Sequence, residues 1–169
     1  MKHLPRKRFG QNFLEDQFVI DLIIASLNLK KNDFVVEIGP GLGALTMPLL
    51  RVLEHLNVVE IDRDLVARLQ NNVAAKKINI IEADALSFDF SALLAESNAE
   101  KTPKMRIIGN LPYNISTPLL FHLASFAPHL ADLTFMLQKE VVERIAAEPK
   151  SADYGRLSVM LQYRFYTEH

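Results

Sequence analysis

Asn110-Leu111-Pro112-Tyr113 follows the apolar run Met105-Arg106-Ile107-Ile108-Gly109. An amide, a proline and an aromatic at the mouth of a strand suit one kind of chemistry, the gripping of the exocyclic amine of a flat base. Asn110 can accept a hydrogen bond from an N–H₂ group through its side-chain carbonyl. Pro112 fixes the backbone and has no N–H, so nearby carbonyls can point at the same amine. Tyr113 offers a face on which a base can stack. The same four residues also read as an ordinary strand-to-helix loop, with Asn and Pro as turn formers.

A second group of residues suits a nucleoside-like cofactor. Val35-Val36-Glu37-Ile38-Gly39-Pro40-Gly41-Leu42-Gly43 runs from a strand into a helix. Glycines such as Gly39 and Gly41 let the backbone turn sharply and let a ligand approach closely. Gly39-x-Gly41-x-x-Ala44 also fits the loose dinucleotide fingerprint. Glu60 falls near the end of the next strand, where a carboxylate can accept both hydroxyls of a ribose. NAD and S-adenosylmethionine both carry that diol, so Glu60 does not separate them. Asp62 reads as the N-cap of the following helix. Asp84 follows a third strand, where it can accept from an adenine amine, with backbone groups around Ala85 completing the contact. Turn propensity alone makes Asp84 a loop acid. Glu37 lies inside an apolar strand and must find partners or shift its pKa. It is expected to orient the glycine loop or the N-terminal arm, or to approach the cofactor's amino group, and not to be catalytic.

These residues need a scaffold, and the hydrophobic pattern supplies one. Strands are predicted over 34–38, 56–61, 78–82, 105–109 and 133–138. Helices are predicted near 17–28, 44–54, 63–75, 89–97, 117–126, 139–147 and 155–163. Strands alternating with helices imply right-handed crossovers and a mostly parallel sheet, with helices on both faces. Such strands are buried on both sides, which accounts for their near-continuous apolar character. The stretch Tyr163-Arg164-Phe165-Tyr166-Thr167-Glu168-His169 reads as strand-like, a chain entering a further strand. The expected organisation is a basic arm, 1–16, contributing to the cofactor site, and an α/β domain, 17–169.

Composition bounds the possibilities. The chain has 169 residues, 49% of them hydrophobic and 23% charged, which suits one globular domain with a real core. There is no Cys, so no disulfide scaffold, thiolate metal site or Cys nucleophile. No apolar run is long enough to span a membrane, and the charged N-terminus does not look like a signal peptide, which favours the cytoplasm. The net charge is −1, yet Lys2, Arg6, Lys7 and Arg8 crowd the first ten residues, which hold no acid. That arm can track phosphates, or it can be a solvated tail.

Taken together, the motifs resemble those of the ribosomal RNA adenine N6-dimethyltransferases, the bacterial members above all. The resemblance runs along essentially the whole chain. It rests on Arg8-Phe9-Gly10-Gln11-Asn12-Phe13-Leu14, Glu37 to Gly43, Glu60-Ile61-Asp62 and Ala83-Asp84-Ala85. It continues through Gly109 to Asn114, Leu137-Gln138-Lys139-Glu140-Val141 and Tyr154-Gly155-Arg156-Leu157-Ser158.

The resemblance implies a Rossmann-like fold, S-adenosylmethionine as cofactor and no metal. It implies dimethylation of two adjacent adenosines in a hairpin loop near the 3′ end of small-subunit (16S) rRNA, within an immature small subunit. Asn12 and Leu14 would contact S-adenosylmethionine, Gly39 would lie against its amino-acid part, Glu60 would hold the ribose and Asp84 the adenine amine. Asn110 would sit between the methyl donor and the target base, helped by the Leu111 carbonyl, Pro112 and the stacking ring of Tyr113. Read without the resemblance, Gln11 and Asn12 are turn or cap residues. Family members also carry further strands and a small helical C-terminal domain, absent here, so the chain is expected to be the catalytic domain alone. Three rivals stand beside this reading: an S-adenosylmethionine-binding assembly factor without catalysis, a DNA adenine methyltransferase, and an NAD-dependent oxidoreductase resting on the glycine loop.

Overall fold

The fold follows from where the apolar residues fall. In the computed structural model, residues 14–73, 76–95 and 104–169 are described. Helix α1 (Gln17–Ser26) is started by Asp16, whose carboxylate accepts from the amides of Phe18 and Val19. Then follow β1 (Val35–Ile38), α2 (Thr46–Val52), β2 (Leu56–Glu60), α3 (Arg63–Asn72), β3 (Ile78–Glu82) and the short α4 (Ala92–Ala95). The chain continues with β4 (Met105–Asn110), α5 (Ser116–Ala124), β5 (Leu130–Met136), α6 (Lys139–Ala146) and α7 (Arg156–Gln162).

The five strands form one parallel sheet in the order β3-β2-β1-β4-β5. β1 and β2 are buried along their whole lengths, with Glu37, Asn57 and Glu60 as the polar residues in otherwise apolar runs. Alternate residues of β1 serve opposite faces. Val35 joins a core with Ile20 of α1, Leu49 of α2 and Leu69 of α3. Val36 and Ile38 join the other core, with Phe90, Leu93 of α4, and Leu119 and Leu123 of α5. A smaller cluster fastens α6 and α7 onto α5 through Leu120, Val141, Leu157 and Leu161.

The strand order reverses between β1 and β4. Chain direction runs β1, β2, β3 to one side and then β4, β5 to the other. In an open parallel sheet this switch point opens a crevice at the carboxyl ends of the strands. Gly109 brings the two strands together there. A Cβ at this position would stand 2.6 Å from the carbonyl oxygen of Ile38.

Two expectations shift. β5 spans Leu130–Met136 rather than 133–138, because the strand opens with Leu130 paired to Met105 and Asp132 paired to Arg106. It ends as β4 ends, the last tie being the Leu111 amide donating to the Met136 carbonyl. The aromatic tail does not form a strand. The amides of Arg164 and Phe165 both donate to the Leu161 carbonyl, closing α7, and Phe165 packs against the α5–α7 cluster. Among the described residues no helix is long and apolar enough to cross a membrane.

Candidate active site

Four strand ends converge on one cleft. Its walls include Gly39, Pro40 and Gly41 after β1, Glu60 and Ile61 at the end of β2, Asp84 and Ala85 after β3, and Asn110 and Pro112 at the end of β4. Leu14, ahead of α1, lines it too. Asn12 lies outside the described residues.

The glycine loop turns through left-handed backbone, with φ of +64° at Gly39 and +58° at Gly41. Such angles are costly for residues with a Cβ. The Gly39 amide donates to the Val59 carbonyl at 3.0 Å, which fixes the loop to β2. Nothing stands within 4 Å of where a Gly39 Cβ would be, so the cleft is open at that point.

Glu60 is 6% exposed and held by backbone amides. Its Oε1 accepts from Ile61 and Asp62, each at 2.9 Å, and its Oε2 accepts from Gly41 at 3.4 Å. Burial raises its pKa above the ordinary carboxylate value, although those three amides oppose the shift. A carboxylate has about four acceptor sites, so Oε2, with one long bond, retains capacity for a ligand hydroxyl. Asp62 caps α3, accepting from the Asp64 amide at 3.0 Å, as the sequence leads one to expect.

Glu37 is fully buried and also lines the cleft. Its Oε2 accepts from the Thr46 hydroxyl of α2 at 2.7 Å. Burial pushes its pKa up to about 7, with Glu60 adding to the rise and Thr46 opposing it. The Thr46 partnership is invisible in the sequence, since it crosses the glycine loop.

Asp84 is exposed at the rim, and its Oδ1 accepts from the Leu86 amide at 2.9 Å in a local turn. Ala85 is buried beside it. Past Asn110, the Leu111 side chain is core rather than cleft, 6% exposed. The Pro112 carbonyl accepts from Ile115 and Ser116, both at 3.2 Å, and so starts α5. Among the described residues no loop or turn amide donates to the Leu111 carbonyl. Tyr113 stands outside the cleft wall and is 56% exposed. Leu42, Ala44, Asn114 and Ile115 also line the cleft; Ala44 and Asn114 fall within the sequence motifs without a role of their own there, and nothing in the apolar side chains of Leu42 and Ile115 marks them as site residues.

Charge narrows the ligand. The cleft wall carries the carboxylates of Glu37, Glu60 and Asp84 and, among the described residues, no Lys or Arg. A dinucleotide's pyrophosphate would find no cationic side chain there, whereas a sulfonium and an ammonium would face the acids.

A glycine loop at the switch point, a buried acid at the end of β2 and an Asn-Leu-Pro-Tyr run starting at the last residue of β4 stand on a Rossmann-like fold of the methyltransferase type. The family profile for ribosomal RNA adenine dimethylase matches residues 2–169, and the chain belongs to that family. Curated relatives named ribosomal RNA small subunit methyltransferase A include those of Nitrosospira multiformis, 60% identical, and Laribacter hongkongensis, 59% identical. Each match covers 99% of this chain and 62% of the relative, so the chain spans less than two thirds of their length. Among solved structures, a dimethyladenosine transferase from Plasmodium falciparum aligns with a TM-score of 0.75 at 28% identity. It covers 89% of this chain and 52% of that one. The 23S rRNA methyltransferase ErmE aligns with a TM-score of 0.64 at 28% identity, covering 86% of this chain and 53% of that one.

Proposed function

We propose that the chain is the catalytic part of an S-adenosylmethionine-dependent enzyme that N6,N6-dimethylates two adjacent adenosines of small-subunit rRNA. The target is a hairpin loop near the 3′ end, presented in an immature small subunit in the cytoplasm. The observation that carries this reading is that Asn110 and Pro112 share one cleft with Gly39, Glu60 and Asp84. The family match and the relatives' names agree with it.

The bound cofactor supplies an electrophilic methyl group on a sulfonium. The chain's residues do the positioning. Gly39 leaves room for the amino-acid end, and Leu14, which lines the cleft, contacts the cofactor, a role the resemblance also implies for Asn12. Glu60 accepts from the ribose hydroxyls through the oxygen with spare capacity. Asp84 accepts from the adenine amine, with Ala85 backbone beside it. Asn110 and the Leu111 carbonyl accept from the two N–H bonds of the target amine, which favours a pyramidal nitrogen with its lone pair aimed at the methyl group. Tyr113, exposed next to the cleft, stacks on the flipped-out base. The proton leaves to water after transfer, so no dedicated base is needed.

The test has two parts. In thermal melts, S-adenosylhomocysteine at about 100 times its Kd should stabilise the fold by roughly 2.7 kcal/mol, and NADH should not. With labelled S-adenosylmethionine and undermethylated small subunits, methyl groups should enter two adjacent adenosines. Cofactor binding without methyl incorporation, either by this chain or by a form extended to its relatives' length, would favour the non-catalytic assembly factor instead.

A further inference from the structure

We propose that His122, outside the cleft, is a positioning residue that sets where Asp84 stands relative to the Asn110–Tyr113 loop. The inference rests on reading Asp84 as the acceptor for the cofactor's adenine amine.

The segment after β3 has no strand or helix to hold it until α4. It is built on local turns: Asp84 Oδ1 accepts from Leu86, and the Asp84 carbonyl accepts from the Ser87 and Phe88 amides, both at 3.0 Å. The Phe88 carbonyl in turn sits 2.9 Å from His122 Nε2 of α5. A carbonyl only accepts, so Nε2 carries the proton and donates. Both the neutral Nε2–H tautomer and the imidazolium can do this, so the tie does not depend on the ring's charge. The imidazole's plane is set by packing. Its centroid lies 5.2 Å from Phe126, edge-on, and 6.0 Å from Phe90, whose side chain is fully buried.

α5 has its first turn on the Pro112 carbonyl, directly behind Asn110. His122 is six residues past Ser116, roughly 9 Å along the helix at 1.5 Å per residue. One rigid helix therefore holds the base-gripping loop at one end and the adenine loop, through His122 and Phe88, near the other. The two half-sites belong to different strands, and His122 gives them a common polar anchor.

The experiment compares S-adenosylhomocysteine with its 6-oxo analogue S-inosylhomocysteine by titration calorimetry. The analogue keeps the ribose and amino-acid ends and loses the adenine amine. His122→Phe keeps a ring against Phe90 and Phe126 but cannot donate. It should weaken S-adenosylhomocysteine about fivefold, the scale of one hydrogen bond, and move the analogue by less than about twofold. His122→Gln, with an amide donor of similar reach, should restore most of the loss. Equal weakening of both ligands, or of neither, would overturn the inference. Should the Phe variant not fold, His122→Ser carries the same comparison. Asp84→Ala separates the two levels. If it fails to distinguish the ligands, the reading of Asp84 fails. If it distinguishes them and the His122 variants do not, only the role of His122 fails.

Discussion

The Thr46 hydroxyl donates to Glu37 Oε2 at 2.7 Å, joining the first turn of α2 to the middle of β1 beneath the glycine loop. Both side chains are essentially inaccessible. A buried acid with one neutral donor and a second acid, Glu60, nearby is held by burial close to its neutral form.

That arrangement gives the fold a pH dependence of defined sign. Glu37 titrates near 7 in the fold against an ordinary value of 4.5. Between those values the folded chain binds more protons than the unfolded chain, so stability falls as pH rises from about 4.5 to 7, then levels. At 1.36 kcal/mol per pK unit the loss is on the order of 3 kcal/mol. Glu60, also raised, adds a slope of the same sign. Urea unfolding from pH 5 to pH 8 should show Glu37→Gln flattening most of the slope. An unchanged slope would mean that Glu37 stays ionised.

A different contact governs the packing of β4 on β1. A Cβ at Gly109 would meet the Ile38 carbonyl oxygen at 2.6 Å and the Leu111 side chain at 3.2 Å. The first neighbour is backbone and cannot swing away. Gly109→Ala should therefore destabilise by about 1–3 kcal/mol, the usual cost of overpacking, and should widen the switch point where the cleft opens. Denaturant midpoints measure the first effect, and S-adenosylhomocysteine affinity the second. A variant of wild-type stability would show that the strands separate at no cost.

Much of this was legible in the residues. The mostly apolar runs at Val35–Ile38 and Leu56–Glu60 are strands covered on both faces, Ile78–Glu82 is a partly buried edge strand, and their carboxyl ends carry Gly39, Glu60 and Asp84. The start of β5 was hidden because Asp132 breaks the apolar run. That acid pairs with Arg106, 26 residues earlier, and is partly exposed to water. The aromatic tail looked like a strand because composition does not show that α7 uses the Arg164 and Phe165 amides. Glu37–Thr46 and Phe88–His122 link distant or oppositely placed residues, and no spacing rule announces either pair.

Two of the cleft's acceptors, Glu60 and Asn110, should separate in function. On the proposed reading of Glu60 as ribose acceptor, Glu60→Ala should cost S-adenosylhomocysteine binding about 1–3 kcal/mol. Asn110→Ala should leave that affinity within a factor of about two while methyl transfer falls by on the order of a hundredfold, as expected when a group acts mainly in the transition state. Calorimetry and methyl incorporation read the two effects. Equal losses in both assays for Asn110→Ala would sink its proposed role.

Arg106 anchors the opposite, amino-terminal end of the sheet. Its guanidinium donates to Asp33 Oδ2 and Asp132 Oδ2, each at 2.8 Å, and to the Leu27 carbonyl at 2.7 Å. These contacts bind β4 to β5, to the turn before β1 and to the end of α1. The side chain is 18% exposed, so the pairs are partly shielded from water. Lysine offers one point charge and cannot reach three acceptors in that fork. Arg106→Lys should thus lower stability by about 2 kcal/mol, through two strained or lost charge-assisted bonds. The cleft lies at the other ends of the strands, so the Kd for S-adenosylhomocysteine measured well below the melting temperature should stay within a factor of about two, no cleft bond being lost. A large change in that Kd without a change in stability would show that the amino-terminal cluster and the cleft are coupled through the sheet.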